Sequence, residues 1–176
     1  GEQRFINRWG PLAYLNPEND IKLKTVNFIC TLDKEFNIKD NHKVDTSKLD
    51  SPTPLWEFHG LEDARLVRWD GKLYMSGVRR DTTVNGQGRM ELSEVEIKDD
   101  TVTEISRVRI EPPGDSTYCE KNWMPILDMP YHYVKWTNAT EVVKANIKNG
   151  TSKTVYLGTN PIPGLPDFRG GSQVIV

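Results

Sequence analysis

The stretch from Ala64 to Val78, ARLVRW-DG-KLYMSGV, decides the fold class. Residues 64–69 alternate between apolar and polar side chains, which is typical of a strand with one buried face. Asp70-Gly71 is a turn signal that accepts positive φ, and residues 72–78 return as a partner strand. Two more alternating segments follow around another turn, at Met90–Ile97, Asp99-Asp100 and Val102–Ile110. Together the four segments predict an antiparallel four-stranded meander.

Similar patterns occur on both sides of this meander. Downstream, short strands are predicted at 122–127, 131–136, 141–147 and 154–157, with Asn149-Gly150 as a turn signal. Upstream, the run at 24–32 predicts a strand, and the polar residues 40–54 predict a surface loop. No window has the apolar spacing of an amphipathic helix over four turns. The predicted class is therefore all-β.

Each predicted unit opens with a polar motif before an apolar strand. The motifs are Glu62-Asp63-Ala64-Arg65, Glu120-Lys121-Asn122-Trp123 and Arg169-Gly170-Gly171-Ser172-Gln173. From Asp63 to Asn122 is 59 positions and from Asn122 to Gly170 is 48, close to the roughly 40–50 residues of a four-stranded antiparallel propeller blade. The spacing predicts part of a β-propeller, in which the innermost strands would begin at one central funnel and bring the motifs together.

The composition limits the partners and the size. Lys plus Arg is 23 and Asp plus Glu is 25, a formal net charge of −2, which argues against nucleic acid as a general partner. No apolar run approaches the ~20 residues of a membrane helix, and no signal-like segment opens the chain, so we expect a soluble protein without a membrane partner. One domain over residues 1–176 is expected. It would hold roughly three to four blades, so either the chain is a fragment or self-association completes the sheet.

The polar motifs contain the candidate site residues. Glu62 and Asp63 are adjacent in a strand, so only one carboxylate can face the funnel, and Arg65 shares the face of Asp63 and could orient it. Indole faces pack on sugar C–H surfaces, while cations and amides bind hydroxyls or phosphate. Such residues are the predicted binding side chains: Glu62, Arg65, Arg80, Asp81, Lys121, Asn122, Trp123, Lys135, Trp136, Arg169 and Gln173. The alternative for each is a structural role in the core, in an ion pair or at a glycine bulge.

Metal and disulfide chemistry is not indicated by the sequence. His42, His59 and His132 are scattered, and neither CxxC nor HExxH occurs, so no metal site and no cofactor are predicted. Cys30 and Cys119 allow one bridge in principle, but two small buried side chains are the expectation.

The ordered set HGLEDARLVRWDGKLYMSGVRRD, EKNWMPI, YHYVKWTN and FRGGSQVIV resembles glycoside hydrolase family 130, the mannoside phosphorylases and related mannosidases. The resemblance covers about residues 57–176 and implies a five-bladed β-propeller. It also implies that Asp63 donates a proton to the glycosidic oxygen, that Arg65 lies at the sugar subsite and that Lys121 lies near the phosphate or reducing-side subsite. Ala64 stands where the family has proline, and no acidic residue follows Pro125.

The implied activity is inverting hydrolysis or phosphorolysis of a mannoside-like glycoside. Hydrolysis needs a second carboxylate ~6.5–9.5 Å from the acid to activate water, and the candidate bases are Asp81, Glu120 and Asp167. Phosphorolysis needs no base, because inorganic phosphate is the co-substrate and nucleophile, but it needs cations such as Arg80, Lys121 and Arg169. A non-catalytic glycan-binding or scaffolding domain, associated with a glycosyltransferase, is the alternative.

Overall fold

The computed structural model describes residues 4–7, 12–15, 23–115, 117–137, 139–158 and 170–176, the first two ranges as backbone only. In chain order the strands are β1 Arg4–Asn7, β2 Leu12–Leu15, β3 Leu23–Lys24, β4 Phe28–Leu32, β5 Ile38–Asp45, β6 Phe58–His59, β7 Leu61–Trp69, β8 Lys72–Arg79, β9 Arg89–Lys98, β10 Thr101–Ile110, β11 Met124–Pro125, β12 His132–Thr137, β13 Thr140–Asn146 and β14 Thr151–Leu157. The all-β prediction is confirmed. Over these ranges, no helix has the length and apolar character needed to cross a membrane.

The predicted meander is confirmed as the antiparallel strands β7, β8, β9 and β10. Its two tight turns have the left-handed backbone that their residues favour. Asp70 and Gly71 have φ of 50° and 77°, and Asp99 and Asp100 have φ of 47° and 61°. Two consecutive positive φ values are what a two-residue hairpin with right-handed strand twist requires, so the sequence of each turn determines the pairing of its flanking strands.

The predicted five-bladed propeller is wrong. The meander is not a separate four-stranded blade, because a β4–β5 hairpin joins its edge and makes a six-stranded sheet in the order β4-β5-β10-β9-β8-β7. β5 pairs with β10 in parallel, with Val44 opposite Val102 and Asp45 opposite Thr103. The other described sheets are the four-stranded β11–β14 and the two-stranded pairs β1–β2 and β3–β6. Sheets of six, four and two strands are not equivalent blades.

The strands β11 to β14 form the predicted second antiparallel group. Its Asn149-Gly150 turn contacts the first sheet, because the carbonyl of Gly150 accepts a hydrogen bond from the Glu111 amide at 2.8 Å. Gly150 has a φ of 72°, and a Cβ there would collide with the carbonyl oxygen of Arg109. The apolar strand expected after the motif that ends at Gln173, at 174–176, is a single bridge in which Val174 pairs in parallel with Ile126.

Three local predictions need correction. The predicted surface loop 40–54 is a strand up to Asp45. The prediction was wrong because β5 is mostly exposed and carries polar side chains, which resemble those of a loop. The predicted strand 24–32 is divided between β3 and β4. Both cysteines are free, and Cys30 is exposed rather than buried.

The main hydrophobic core lies between the six-stranded and four-stranded sheets. Trp69 of β7, 1% exposed, donates its indole N–H to the carbonyl of Ile126 at 2.9 Å. Its ring packs edge-on against Tyr131 and Tyr133 at centroid distances of 5.4 Å each. The core also holds Val67, Tyr74, Met90, Leu92, Ile110, Trp123, Val143 and Ala145. A second cluster contains Ile29, Val44, Leu61, Met75, Val95 and Val102, and it lies on the other face because successive strand residues alternate sides.

Candidate functional site

The beginning of β7 carries the two predicted acidic site residues in an irregular backbone. Asp63 has a φ of 53°, and the β7–β8 register shifts between Glu62 and Arg65. Such bulges change the direction of side chains. Glu62 is half-buried, whereas Asp63 is exposed. Arg65 donates to the backbone carbonyl of Asp63 at 3.3 Å, so the expectation that it orients the Asp63 carboxylate is wrong.

Glu62 lies in a mixed electrostatic environment. Burial raises the pKa of its carboxyl above the ordinary value, and the negative charges of Asp63 and Asp81 act in the same direction. The cations Arg80 and Lys121 oppose this rise but do not cancel it. A half-buried carboxyl with a raised pKa keeps its proton to a higher pH than an exposed one.

The beginnings of β7 and β11 come together through Gly170. Arg65 donates to the carbonyl oxygen of Gly170 at 3.1 Å. A Cβ on Gly170 would collide with the carbonyl oxygen of Asn122 and lie 2.7 Å from the Met124 side chain, so only glycine allows this approach. Gln173 further ties this segment to β7 by donating to the carbonyl of Leu66 at 2.6 Å. The motifs at 62–65 and 120–123 therefore both contact residues of the third motif, at 170–173.

A pocket of about 230 Å³ lies beside this junction, and we call it the small pocket. Its lining residues are Thr117, Cys119, Glu120, Lys121, Asn122, Trp123, Met124, Lys135, Trp136, Thr137 and Gly170. Trp136 is 53% exposed and Lys121 is also exposed. Asn122 is half-buried and has a φ of 62°. The pocket thus offers an indole, an ammonium and an amide to a ligand.

Several of the predicted binding groups in the wall of the small pocket are already bound to other protein groups. Trp123 is 1% exposed, and its indole N–H donates to Glu120 at 3.1 Å. Glu120 also accepts from the Thr117 hydroxyl at 2.7 Å. The Lys135 ammonium lies 3.8 Å from Glu120 and 3.7 Å from Glu141, and 5.8 Å from the centre of the Trp123 ring. These side chains support the pocket.

Arg80 and Asp81, two other predicted binding residues, hold loops in place. Arg80 donates to the carbonyl of Gly86 and to the Tyr118 hydroxyl, each at 2.9 Å. Asp81 accepts from the backbone amide of Gly60 at 2.9 Å. Both side chains therefore bind protein groups. Their charges still act on the pKa of Glu62, which Arg80 lowers and Asp81 raises.

A larger cavity of about 940 Å³, which we call the large cavity, lies beside residues 46–55 and 59–61. Its wall includes Arg79 and Arg107. Both guanidinium groups form ion pairs with the carboxylate of Glu91, a residue that is 1% exposed. Arg79 lies 2.6 Å and Arg107 3.2 Å from Glu91. Burial raises the pKa of Glu91, and the two guanidiniums oppose that rise. This cluster was not predicted from the sequence, although charged residues at strand positions that alternate with buried ones would have indicated it.

Residues 46–55 form a strap along the large cavity, and Asp50 anchors it. Arg107 donates to the carbonyl of Leu49 at 3.1 Å and to the Asp50 carboxylate at 2.9 Å. Asp50 also accepts from the Thr46 hydroxyl at 2.6 Å. At the end of the strap, the Leu55 amide donates to the carbonyl of Asp81 at 2.9 Å. The strap is therefore held at its middle and at its end.

We expect Asp50→Asn to loosen the strap. Partial burial acts to raise the pKa of Asp50, but the hydrogen bonds from Thr46 and Arg107 outweigh it and lower the pKa below the ordinary 3.8. The ionised Asp50 carboxylate therefore stabilises the folded state above pH 3.8, and this stabilisation is lost as the pH falls through the lowered pKa. Amide hydrogen exchange of residues 46–55 should be faster in the variant at neutral pH. Asp128→Asn, which removes an exposed carboxylate outside the strap and outside the lining of the large cavity, is the control, and equal protection in both variants would contradict the anchor.

No arrangement in the described part of the chain groups three or more His, Cys, Asp or Glu residues as a metal site. The predicted binding residue Arg169 and the candidate base Asp167 lie outside the described residues.

Comparison with known proteins gives no relative for this chain. No family model matches it, and no match was found among curated proteins or solved structures.

Proposed function

We propose that this protein is carbohydrate-active, binding a mannoside-like glycoside in the small pocket and cleaving it with inversion by hydrolysis or phosphorolysis. The observation that carries this proposal is the exposed indole of Trp136 beside Lys121 and Asn122 in one pocket. An indole face covers the apolar C–H side of a sugar ring, and the ammonium and amide groups bind its hydroxyls. The mannoside class comes from the sequence resemblance to glycoside hydrolase family 130.

Glu62, rather than Asp63, has the environment that a general acid needs. The acid must keep its proton near the working pH, and burial raises the pKa of Glu62, whereas Asp63 is exposed. Neighbouring carboxyls in unlike surroundings often divide the acid and base roles. Glu62 does not line the small pocket, but Arg65, at the other end of the same bulge, binds the carbonyl of Gly170 in the pocket lining. In this proposal the glycosidic bond lies between the pocket and the bulge, and Glu62 protonates the glycosidic oxygen as its bond to the anomeric carbon breaks. Water activated by a carboxylate, or phosphate held by Lys121, would attack that carbon from the opposite face.

Glycan binding without cleavage is the second candidate function. It is favoured by the contacts of Arg65, Arg80 and Lys135, whose charged groups are already occupied by carbonyls, a hydroxyl or carboxylates. Incubation with mannobiose, with and without inorganic phosphate, separates the possibilities. Mannose alone indicates hydrolysis, mannose 1-phosphate formed only with phosphate indicates phosphorolysis, and binding without product indicates the second candidate.

Trp136→Ala is expected to weaken mannoside binding about tenfold, because the ligand loses its stacking surface. Titration calorimetry with mannobiose measures this change. Tyr156→Ala is the matched control, since Tyr156 is an aromatic side chain of similar exposure, 57%, on β14 and lies outside the pocket lining. Equal affinities of the two variants would argue against Trp136 as the sugar platform.

A further inference from the structure

We propose that the free edge of β4 binds a second copy of this chain, forming a homodimer in which the two β4 strands pair antiparallel around Cys30. β4 stands at the end of the strand order β4-β5-β10-β9-β8-β7, so one of its two edges has no partner among the described strands. Such an edge presents unpaired N–H and C=O groups that can bind another strand. No residue of β4 lines the small pocket, so this interaction is independent of the proposed function.

The sequence of β4, FICTL, lacks the features that usually protect an edge strand. Those features are charged side chains, proline and bulges within the strand. The register shift in the β4–β5 hairpin comes from an extra residue in β5, Lys39, so β4 itself is regular. Phe28 and Leu32 are 55% and 51% exposed, and they lie on the same face as the exposed Cys30. An exposed and uncharged edge of this kind is expected to bind another strand.

Hydrogen bonds next to the two ends of β4 show which of its backbone groups face the free edge. The Asn27 carbonyl accepts from a β5 amide, and the Asp33 amide donates to the carbonyl of the residue just before β5, each at 3.0 Å. Asn27 and Asp33 therefore face the hairpin partner. Backbone groups of successive strand residues point to alternate edges. The N–H and C=O groups of Phe28, Cys30 and Leu32 consequently point to the free edge.

These three residues are arranged symmetrically about Cys30. On a two-fold axis at Cys30, each Cys30 lies opposite its counterpart, and Phe28 lies opposite Leu32 of the partner subunit. In each pair both residues point their backbone groups at one another, so they exchange both hydrogen bonds. The exposed side chains of Phe28 and Leu32 then pack together across the two strands. The edge is therefore complementary to itself, which identifies a second copy as the partner.

The charges beside β4 are also complementary in this register. The two-fold axis places residues 24–27 of one copy beside residues 33–36 of the other. Residues 24–27 have a net charge of +1, from Lys24, whereas residues 33–36 have a net charge of −1, from Asp33, Lys34 and Glu35. Opposite charges therefore meet at both ends of the paired strands. Such complementarity favours this register over a shifted one.

Disulfide trapping tests the interface and its register. The two Cα atoms of Cys30 would lie about 5.5 Å apart, within the roughly 4.4–6.8 Å that a disulfide spans. Mild oxidation of the Cys119→Ser protein should give a covalent dimer linked through Cys30, identified by peptide mass spectrometry. The control is Phe28→Cys combined with Cys30→Ser and Cys119→Ser. Its two cysteines would be offset by four positions, about 13 Å, and should give at least about tenfold less dimer.

Cys30→Lys tests the interface without oxidation. It places two ammonium groups directly opposite each other, and position 30 is exposed in the monomer, so the variant should fold. In sedimentation equilibrium under reducing conditions, it should dimerise at least about tenfold more weakly than the wild type. Val155→Lys is the matched control and should keep the dimer. It replaces an apolar side chain, 44% exposed, on β14 at the edge of the four-stranded sheet.

An interface formed by two short strands is small, so we expect a dissociation constant in the micromolar range. Trapping at Cys30, together with loss of the dimer in Cys30→Lys, supports the paired edges. Equal trapping of the Phe28→Cys control would indicate random collisions and overturn the proposal. A wild type that stays monomeric at about 200 µM, or a dimer that Cys30→Lys leaves unchanged, would overturn it as well.

Discussion

Replacing Glu62 with glutamine is expected to lower the turnover number for mannobiose cleavage about 100-fold, the usual scale for losing a general acid. Glutamine keeps the size and shape of the side chain but has no acidic proton for the leaving oxygen. The KM should change little, because the small pocket is unaltered. Asp63→Asn is the matched control and should keep most of the activity, since the exposed Asp63 is not the proposed acid. The reverse result would assign the acid role to Asp63, as the family resemblance implies.

Glu62→Gln is also expected to change how the melting temperature depends on pH, and this change can be measured without an activity assay. The pKa of Glu62 is raised by burial, so the folded state favours the protonated carboxyl. That stabilisation is complete below the ordinary pKa of 4.5 and is lost as the pH rises through the raised pKa. Glu62→Gln should therefore melt at a higher temperature than the wild type at neutral pH, and the difference should vanish below pH 4.5.

Trp69→Ala is expected to lower the free energy of unfolding by about 3–5 kcal/mol, the range for deleting a large buried aromatic side chain. The indole is buried between the two sheets and contacts Tyr131 and Tyr133. Its loss also leaves the carbonyl of Ile126 without the indole N–H. Urea denaturation followed by circular dichroism measures the change.

Trp136→Ala provides the comparison for this experiment. Trp136 is 53% exposed, so its replacement should change the free energy of unfolding by no more than about 0.5 kcal/mol. Equal losses in the two tryptophan variants would contradict a core at the sheet interface. Trp69→Phe should fall between them, because phenylalanine restores much of the buried surface but not the hydrogen bond.

The parts of the fold that follow from short-range signals were predictable. Asp70-Gly71 and Asp99-Asp100 both adopt left-handed conformations, and each determines a hairpin whose strands alternate. The parallel pairing of Val44 with Val102 is instead a long-range contact. It joins segments that are 58 positions apart and that no single turn connects, and nothing in the local pattern indicates which sheet edge the β4–β5 hairpin joins. The propeller prediction failed at this step.

The candidate site was predictable in composition but less so in the role of each residue. Lys121, Asn122 and Trp136 line one pocket, because their motifs lie at the beginning or end of neighbouring strands. Arg65 and Arg80 were expected to contact ligand, yet they donate to backbone carbonyls. An arginine motif does not reveal its acceptor, since carbonyl oxygens that become available through bulges and loops compete with any ligand oxygen.

The short contact between β5 and β10 has a consequence for the order of unfolding. Only two residue pairs connect them, whereas β10 and β9 are paired along nearly their whole length. Ile29 and Val44 also pack in the second cluster, but this hairpin has far less backbone pairing to the sheet than the meander strands have to one another. It should therefore detach in a partial opening while the meander remains folded. Because Lys43 to Asp45 of this hairpin line the large cavity, such an opening would also expose the wall of that cavity to solvent. Hydrogen exchange of the hairpin amides would then report how often the large cavity opens.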